Sequence, residues 1–141
     1  MKVTDRRGTA RSGLRLTALG VGTSAIGGLY QAVDERTAAA TLEAGWNAGL
    51  RYFDTAPYYG YTLSEQRLGA LLRELPREEV VVSTKVGRLM QPDAGVRAGD
   101  DGWATPLPFR PVFDYSRDAI LRSFEDSCRR LGLERIDLVL V

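Results

Sequence analysis

Residues 49–60 read G-L-R-Y-F-D-T-A-P-Y-Y-G. The apolar-aromatic pair Tyr52-Phe53 ends abruptly in Asp54, Thr55-Ala56-Pro57 turns the chain, and Tyr58 and Tyr59 follow before Gly60. That pattern is a short buried strand emptying into a loop, with a carboxylate and a phenol delivered at its end. A second run, Val80-Val81-Val82-Ser83-Thr84-Lys85, delivers a lysine in the same way. Its β-branched, nearly all-apolar body is that of a strand buried on both faces, as in a parallel sheet.

Helical patterns alternate with these strands. Upstream, a short strand is expected over about Leu16 to Val21, with Gly22 and Thr23 just past its end. Asp34 caps a helix whose face carries Ala38, Leu42 and Trp46 and which Gly49 stops. Downstream, Ser64 and Glu65 open a second helix with Leu68, Leu71, Leu72 and Leu75 in a stripe, ended by Pro76. Ser116 caps a third, with Ile120, Phe124, Cys128 and Leu131 on its apolar face and Gly132 after it. Residues 136–141, I-D-L-V-L-V, form a last strand in which the sequence stops. Residues 1–13 are polar and basic, and a loose start is expected there. The segment 87–111 is rich in glycine and proline, lacks periodicity, and exceeds the roughly 2–6 residues usual for a strand-to-helix connection. It is expected to be a binding loop with Trp103, Phe109 and Met90 as an apolar wall, or a loop that those residues merely pin to the body.

The order β-α-β-α-β-α-β predicts an α/β fold with a parallel sheet and right-handed crossovers. Either a small open sheet or the N-terminal half of a (β/α)8 barrel, cut within its fourth strand, satisfies it. A whole barrel needs about 250 residues, and the chain has 141.

Composition narrows the chemistry. Net charge is +1, which gives no electrostatic case for nucleic acid or an anionic membrane. There is no histidine, and the one cysteine, Cys128, reads as a packing residue. Ser-His, Cys-His and zinc-His mechanisms are therefore excluded for this stretch of chain. The start lacks an apolar signal core, and a cytoplasmic protein is expected.

In a parallel sheet the carboxyl ends of all strands face one side, where ligands bind. Gly22, Thr23, Asp54, Tyr59 and Lys85 would gather there. An ammonium stabilises a nearby phenolate, and a carboxylate keeps that ammonium charged and oriented. Such a phenol can protonate a carbonyl oxygen or take a proton from an alcohol. Hydride would have to come from a cofactor, because no side chain donates one. A purely structural Asp–Lys pair beside packed tyrosines uses the same three residue types. Neither common glycine-rich nucleotide fingerprint is present.

The stretch G-L-R-Y-F-D-T-A-P-Y-Y-G resembles the signature of the aldo-keto reductases, and V-V-S-T-K-V-G resembles their lysine strand. The resemblance runs from L-G-V-G-T near residue 20 to R-I-D-L-V-L-V. G-G-L-Y, S-E-Q-R-L-G, K-V-G-R-L and V-F-D-Y-S are similar to the branch containing aldose (L-fucose or D-threo-aldose) and pyridoxal dehydrogenases. It implies a (β/α)8 barrel, NADP or NAD as cofactor, no metal, and a small aldehyde, aldose or alcohol substrate. Of the family's Asp-Tyr-Lys-His tetrad, Asp54, Tyr59 and Lys85 match the first three. Tyr59 is thereby the implied general acid or base, Lys85 its cationic partner, and Asp54 the carboxylate that orients Lys85. Gly22 and Thr23, with Asp54, match the part of the family's site near the nicotinamide. The family's histidine would directly follow Val141, so residues 1–141 are expected to be one incomplete domain, a fragment or truncation of an oxidoreductase. A non-catalytic remnant, or a half barrel that self-associates through its open edges, is the alternative.

Overall fold

A computed structural model of the chain describes residues 2–9 and 11–141. Strands β3 (Val21–Gly22), β4 (Tyr52–Asp54), β5 (Val81–Lys85) and β8 (Leu138–Leu140) form a four-stranded parallel sheet in that order. Helices α1 (Glu35–Asn47), α2 (Leu63–Leu72) and α3 (Arg117–Leu131) are the crossovers between successive strands. Neighbours in the chain are thus neighbours in the sheet, the winding of a barrel rather than of a doubly wound sheet. The open-sheet alternative falls to this order together with the fold relatives described below.

Alternation along the strands sorts the side chains. Phe53 and Val82 are fully buried and turn to the helix layer, where Ala38, Leu42, Leu68 and Leu131 meet them. Burying each such large apolar side chain contributes about 1.5–3 kcal/mol. Tyr52, Asp54, Ser83 and Lys85 share the opposite face, as their mutual hydrogen bonds require.

The helices begin as the residue types dictate. The Asp34 carboxylate accepts the Thr37 N–H at 2.7 Å, and the Ser116 hydroxyl accepts that of Ala119 at 3.3 Å. That hydrogen bond, to an orphan backbone amide, holds the Asp34 carboxyl below its ordinary range. Helix α2 begins differently: Thr62 stands in the left-handed region at φ 82° and its side chain makes no cap bond. The side chains of Ser64 and Glu65 are fully buried instead of lying on an exposed first turn.

Three expectations need correction. The strand expected over Leu16 to Val21 is two separate pieces. β2 (Arg15–Thr17) pairs antiparallel with β1 (Arg6–Gly8), and only Val21–Gly22 joins the parallel sheet. Gly20 makes the break, since a Cβ there would lie 2.6 Å from the Tyr52 ring. The hairpin occupies part of the stretch expected to be loose, of which Met1 and Ala10 lie outside the described residues. Second, the two ends of the 87–111 segment are regular. β6 (Arg88–Pro92) and β7 (Phe109–Phe113) form an antiparallel pair with Met90 opposite Pro111. Third, the deepest residues of α3 are Ala119, Ser123, Ser127 and Leu131, with Phe124 and Cys128 packing at the edge. The helix comes close: a Cβ on Gly69 of α2 would lie 2.5 Å from the Arg130 carbonyl oxygen. Small residues fill the line of contact, and large ones flank it.

Candidate active site

The carboxyl ends of β4 and β5 carry the three expected polar residues, and the fold brings them together. Asp54 pairs with Ser83 in register, so Lys85 stands two residues farther along the neighbouring strand. The Lys85 ammonium donates to Asp54 Oδ2 at 2.9 Å and to the Thr55 carbonyl at 3.0 Å. The other carboxylate oxygen, Asp54 Oδ1, accepts the Ser83 hydroxyl at 2.5 Å. Ser83 in turn shares a hydrogen bond with the Tyr52 hydroxyl at 2.9 Å. Both lone partners of the carboxylate are fixed, and it has one orientation.

Lys85 Nζ also lies 4.8 Å from the centroid of the Tyr59 ring. Burial pulls the lysine pKa down, but hydrogen bonds and charge from Asp54 and Tyr59 outweigh it, and the net shift is upward. The lysine is a cation at neutral pH. An ammonium has three protons to give. Two go to Asp54 and Thr55, and the third is left on the side of the Tyr59 phenol.

Gly22 and Thr23 lie beside this group but differ from each other. Gly22 is exposed, and a Cβ there would meet nothing within 4 Å. Thr23 is fully buried. Its hydroxyl donates to the Asp54 carbonyl at 2.8 Å, and its backbone N–H reaches the same oxygen at 3.0 Å. Ser64 donates to the Thr23 carbonyl at 2.9 Å. Thr23 thus fastens the end of β4 rather than presenting a free hydroxyl.

The loop bearing Tyr58 and Tyr59 is held by backbone contact. A Cβ on Gly27 would lie 2.9 Å from the Tyr59 carbonyl carbon, and Gly60, at φ 63°, faces Gly27 in return. Only glycine fits at either place. From the other side Trp103, 2% exposed, packs its ring edge-on to Tyr58 at 5.5 Å and tilted to Tyr59 at 6.0 Å. Tyr61 donates to Asp101 at 2.6 Å, and burial followed by that carboxylate pushes its phenol far above the ordinary range. Tyr61 is a strut, unable to titrate near neutrality.

A cavity of about 370 Å³ opens over this group. Tyr58, Tyr59, Lys85, Arg88, Tyr115 and Val141 line it. The apolar wall expected from Trp103, Phe109 and Met90 is not what forms it: Trp103 backs the tyrosines, while Arg88 and Tyr115 face the opening. Sequence reasoning also missed Ser83, Tyr52 and Thr55 as partners of the Asp–Lys pair. The signal existed for Ser83, which stands two residues before Lys85 on one strand and so shares its face.

Among the described residues no group of three or more His, Cys, Asp or Glu is placed to hold a metal ion. No helix among them is long and apolar enough to cross a membrane. Cys128 is partly buried and packs on the core; burial, then Glu65, raises its thiol pKa.

Comparison with known proteins bears on the fold and the family. The profile of the Aldo/keto reductase family matches residues 18–141. The chain is 50% identical to the pyridoxal 4-dehydrogenase of Microbacterium luteolum, over all of this chain and 44% of that protein. It is 46% identical to the D-threo-aldose 1-dehydrogenase of a Pseudomonas species, over 92% of this chain and 41% of the other. An aldo-keto reductase from Klebsiella pneumoniae, solved in complex with NADPH, superposes with a TM-score of 0.65 at 26% identity, covering 96% of this chain and 39% of that one. The chain therefore spans less than half the length of these relatives, and its four-stranded parallel sheet with the three helices between the strands makes a partial α/β barrel. The chain belongs to the aldo/keto reductase family.

Proposed function

We propose that the protein is an NADP- or NAD-dependent oxidoreductase that interconverts a small aldehyde or aldose and the corresponding alcohol or lactone-level product, with Tyr59 as the general acid or base. The observation that carries this reading is the Tyr59–Lys85–Asp54 group: Tyr59 and Lys85 line one cavity, and Lys85 is held 2.9 Å from Asp54 and 4.8 Å from the Tyr59 ring centroid.

The residues present fit the nicotinamide end of such a cofactor. Gly22 leaves open space at the end of β3, next in register to Asp54, so a flat ring can approach the backbone there. When bound, the nicotinamide supplies or accepts the hydride. Tyr59 gives its proton to the carbonyl oxygen during reduction, and in oxidation it takes the proton from the hydroxyl. The Lys85 charge stabilises the phenolate that reduction leaves behind. Asp54 keeps Lys85 charged and aimed, and Thr23 and Ser83 keep Asp54 where it is. Gly22 and Asp54 would border the nicotinamide, with Thr23 acting through Asp54.

The test is made on the full-length gene product, following the nicotinamide absorbance with pyridoxal and with aldoses as substrates. Tyr59→Phe removes the proton donor while keeping the ring. Turnover should fall by about 10²–10⁴. A variant with undiminished turnover would reassign the acid.

A further inference from the structure

The cavity contains two cations stacked on two tyrosines that are adjacent in the chain. Lys85 Nζ lies 4.8 Å from the Tyr59 ring centroid, and the Arg88 guanidinium carbon lies 4.3 Å from that of Tyr58. The first cation is closed by a carboxylate, Asp54. The second is not. Among the described residues Arg88 makes no ion pair, and its guanidinium donates no hydrogen bond to a protein acceptor. Its other neighbour is the Phe113 ring, 4.8 Å away. The guanidinium thus lies against the Tyr58 and Phe113 rings, and among the described residues no protein acceptor takes its N–H groups.

A guanidinium has five donors in a rigid fork, and buried polar groups are normally satisfied. Stacking between rings fixes the plane and so lowers the cost of ordering it when an acceptor arrives. The fork matches a carboxylate or a similar planar oxyanion, which it holds through two parallel hydrogen bonds. Arg88 lines the same 370 Å³ cavity as Tyr59 and Lys85. The Asp101 carboxylate, on the Tyr58 and Tyr61 side, is engaged by Tyr61 at 2.6 Å.

We infer that Arg88 is a substrate-anchoring residue, and that the site takes a small aldehyde carrying an oxyanion remote from its carbonyl. The inference rests on the function proposed above and adds the substrate's second point of attachment. Tyr59 meets the reacting oxygen, and Arg88 meets the charged end. Two attachments fix the carbonyl's direction, which one cannot.

The experiment compares 4-carboxybenzaldehyde with its neutral methyl ester, methyl 4-formylbenzoate, in the full-length gene product and in Arg88→Met and Arg88→Lys. Three readings are taken: kcat/KM for each aldehyde, the Kd of each from quenching of intrinsic fluorescence, and the Kd of NADPH. The wild type should favour the carboxylate. Arg88→Met should cut the carboxylate-to-ester ratio of kcat/KM by about tenfold or more, mainly through KM, and Arg88→Lys should restore part of it. An unchanged ratio overturns the inference, and so does a loss that falls on NADPH binding instead, since the oxyanion recognised would then be the cofactor's. Reduction of the ester without any preference for the carboxylate sinks the anchor and leaves the proposed function standing. Arg88-dependent quenching by 4-carboxybenzaldehyde without turnover of either aldehyde does the reverse. Absence of both binding and turnover removes both.

Discussion

Two carboxylate–cation pairs touch neighbouring residues of β5, and they have opposite fates. Lys85 pairs with Asp54 on the cavity side, where the two side chains are 34% and 27% exposed. Thr84, one residue earlier, points to the helix layer and donates its hydroxyl to Glu65 Oε1 at 2.6 Å. The other oxygen of Glu65 takes the Arg130 guanidinium at 2.5 Å, with exposures of 0% and 17%. Arg130 adds a bond to Ser127 on its own helix. One ion pair is therefore a clasp that ties α2, β5 and α3 together in the interior. The other stands at a cavity, with its ammonium beside a phenol. The chemistry of the residues is alike; what separates the two pairs is whether they are enclosed between helices or open to a cavity, and the pleat of a single strand assigns the two faces.

This contrast can be broken first at Lys85. In the full-length gene product Lys85→Met should cost about 10²–10⁴ in turnover, the range for losing effective proton transfer, while circular dichroism and the cooperativity of unfolding stay near wild type. A stability loss as large as that of the interior pair would mean that Lys85 is a clasp too. Next is Glu65→Ala, which leaves Arg130 half-stranded in the interior. Removing one member of a buried pair costs about 3–5 kcal/mol, read as a drop in the urea midpoint. At low temperature, where the folded form persists, the turnover per folded molecule should be little changed.

The smallest effect is one of pH. The folded-state pKa of Lys85 is raised above its unfolded value, about 10.4 for a free lysine. The folded state then holds its proton more tightly than the unfolded one. The stability this contributes is complete below the unfolded pKa and is lost as pH rises through the folded pKa. Urea titrations from neutrality into this alkaline range should bring wild type and Lys85→Met closer together, by a modest amount because the pair is partly screened by solvent. A gap that stays constant across that range would contradict the linkage.

Much of the architecture could be read from the chain. Strand ends at Asp54 and Lys85, caps at Asp34 and Ser116 and the stop at Gly132 are local, and each announced itself in a few residues. The Asp54–Tyr59–Lys85 grouping followed from the parallel order. What stayed hidden depended on distant pairings. The hairpin of β6 and β7 has Pro92 and Pro111 in its strands, so its pattern looks broken until the strands face each other. The inner line of α3 was misread because Ser123 and Ser127 are polar by type and buried by fit. Glu65 looked like an ordinary first-turn acid; only the third helix, some sixty residues on, supplies the arginine that draws it inside. Arg88 stood within the K-V-G-R-L segment but its contacts did not show, since Tyr58 and Phe113, the rings it lies against, are far from it in the sequence.

The back-to-back contact of Gly27 and Gly60 has a bearing on how this site could be altered. The backbone that carries Tyr59 is located by main chain pressed on main chain, not by a side chain that could be traded for a larger or smaller one. Substitutions around the cavity, at Arg88, Tyr115 or Tyr58, can reshape its lining without moving the backbone that carries Tyr59. Directed variation of those side chains should therefore change what the cavity admits more readily than it shifts Tyr59. At the two glycines themselves there is no graded series to explore: the first added carbon collides with the opposing backbone, so tolerance ends there in a single step.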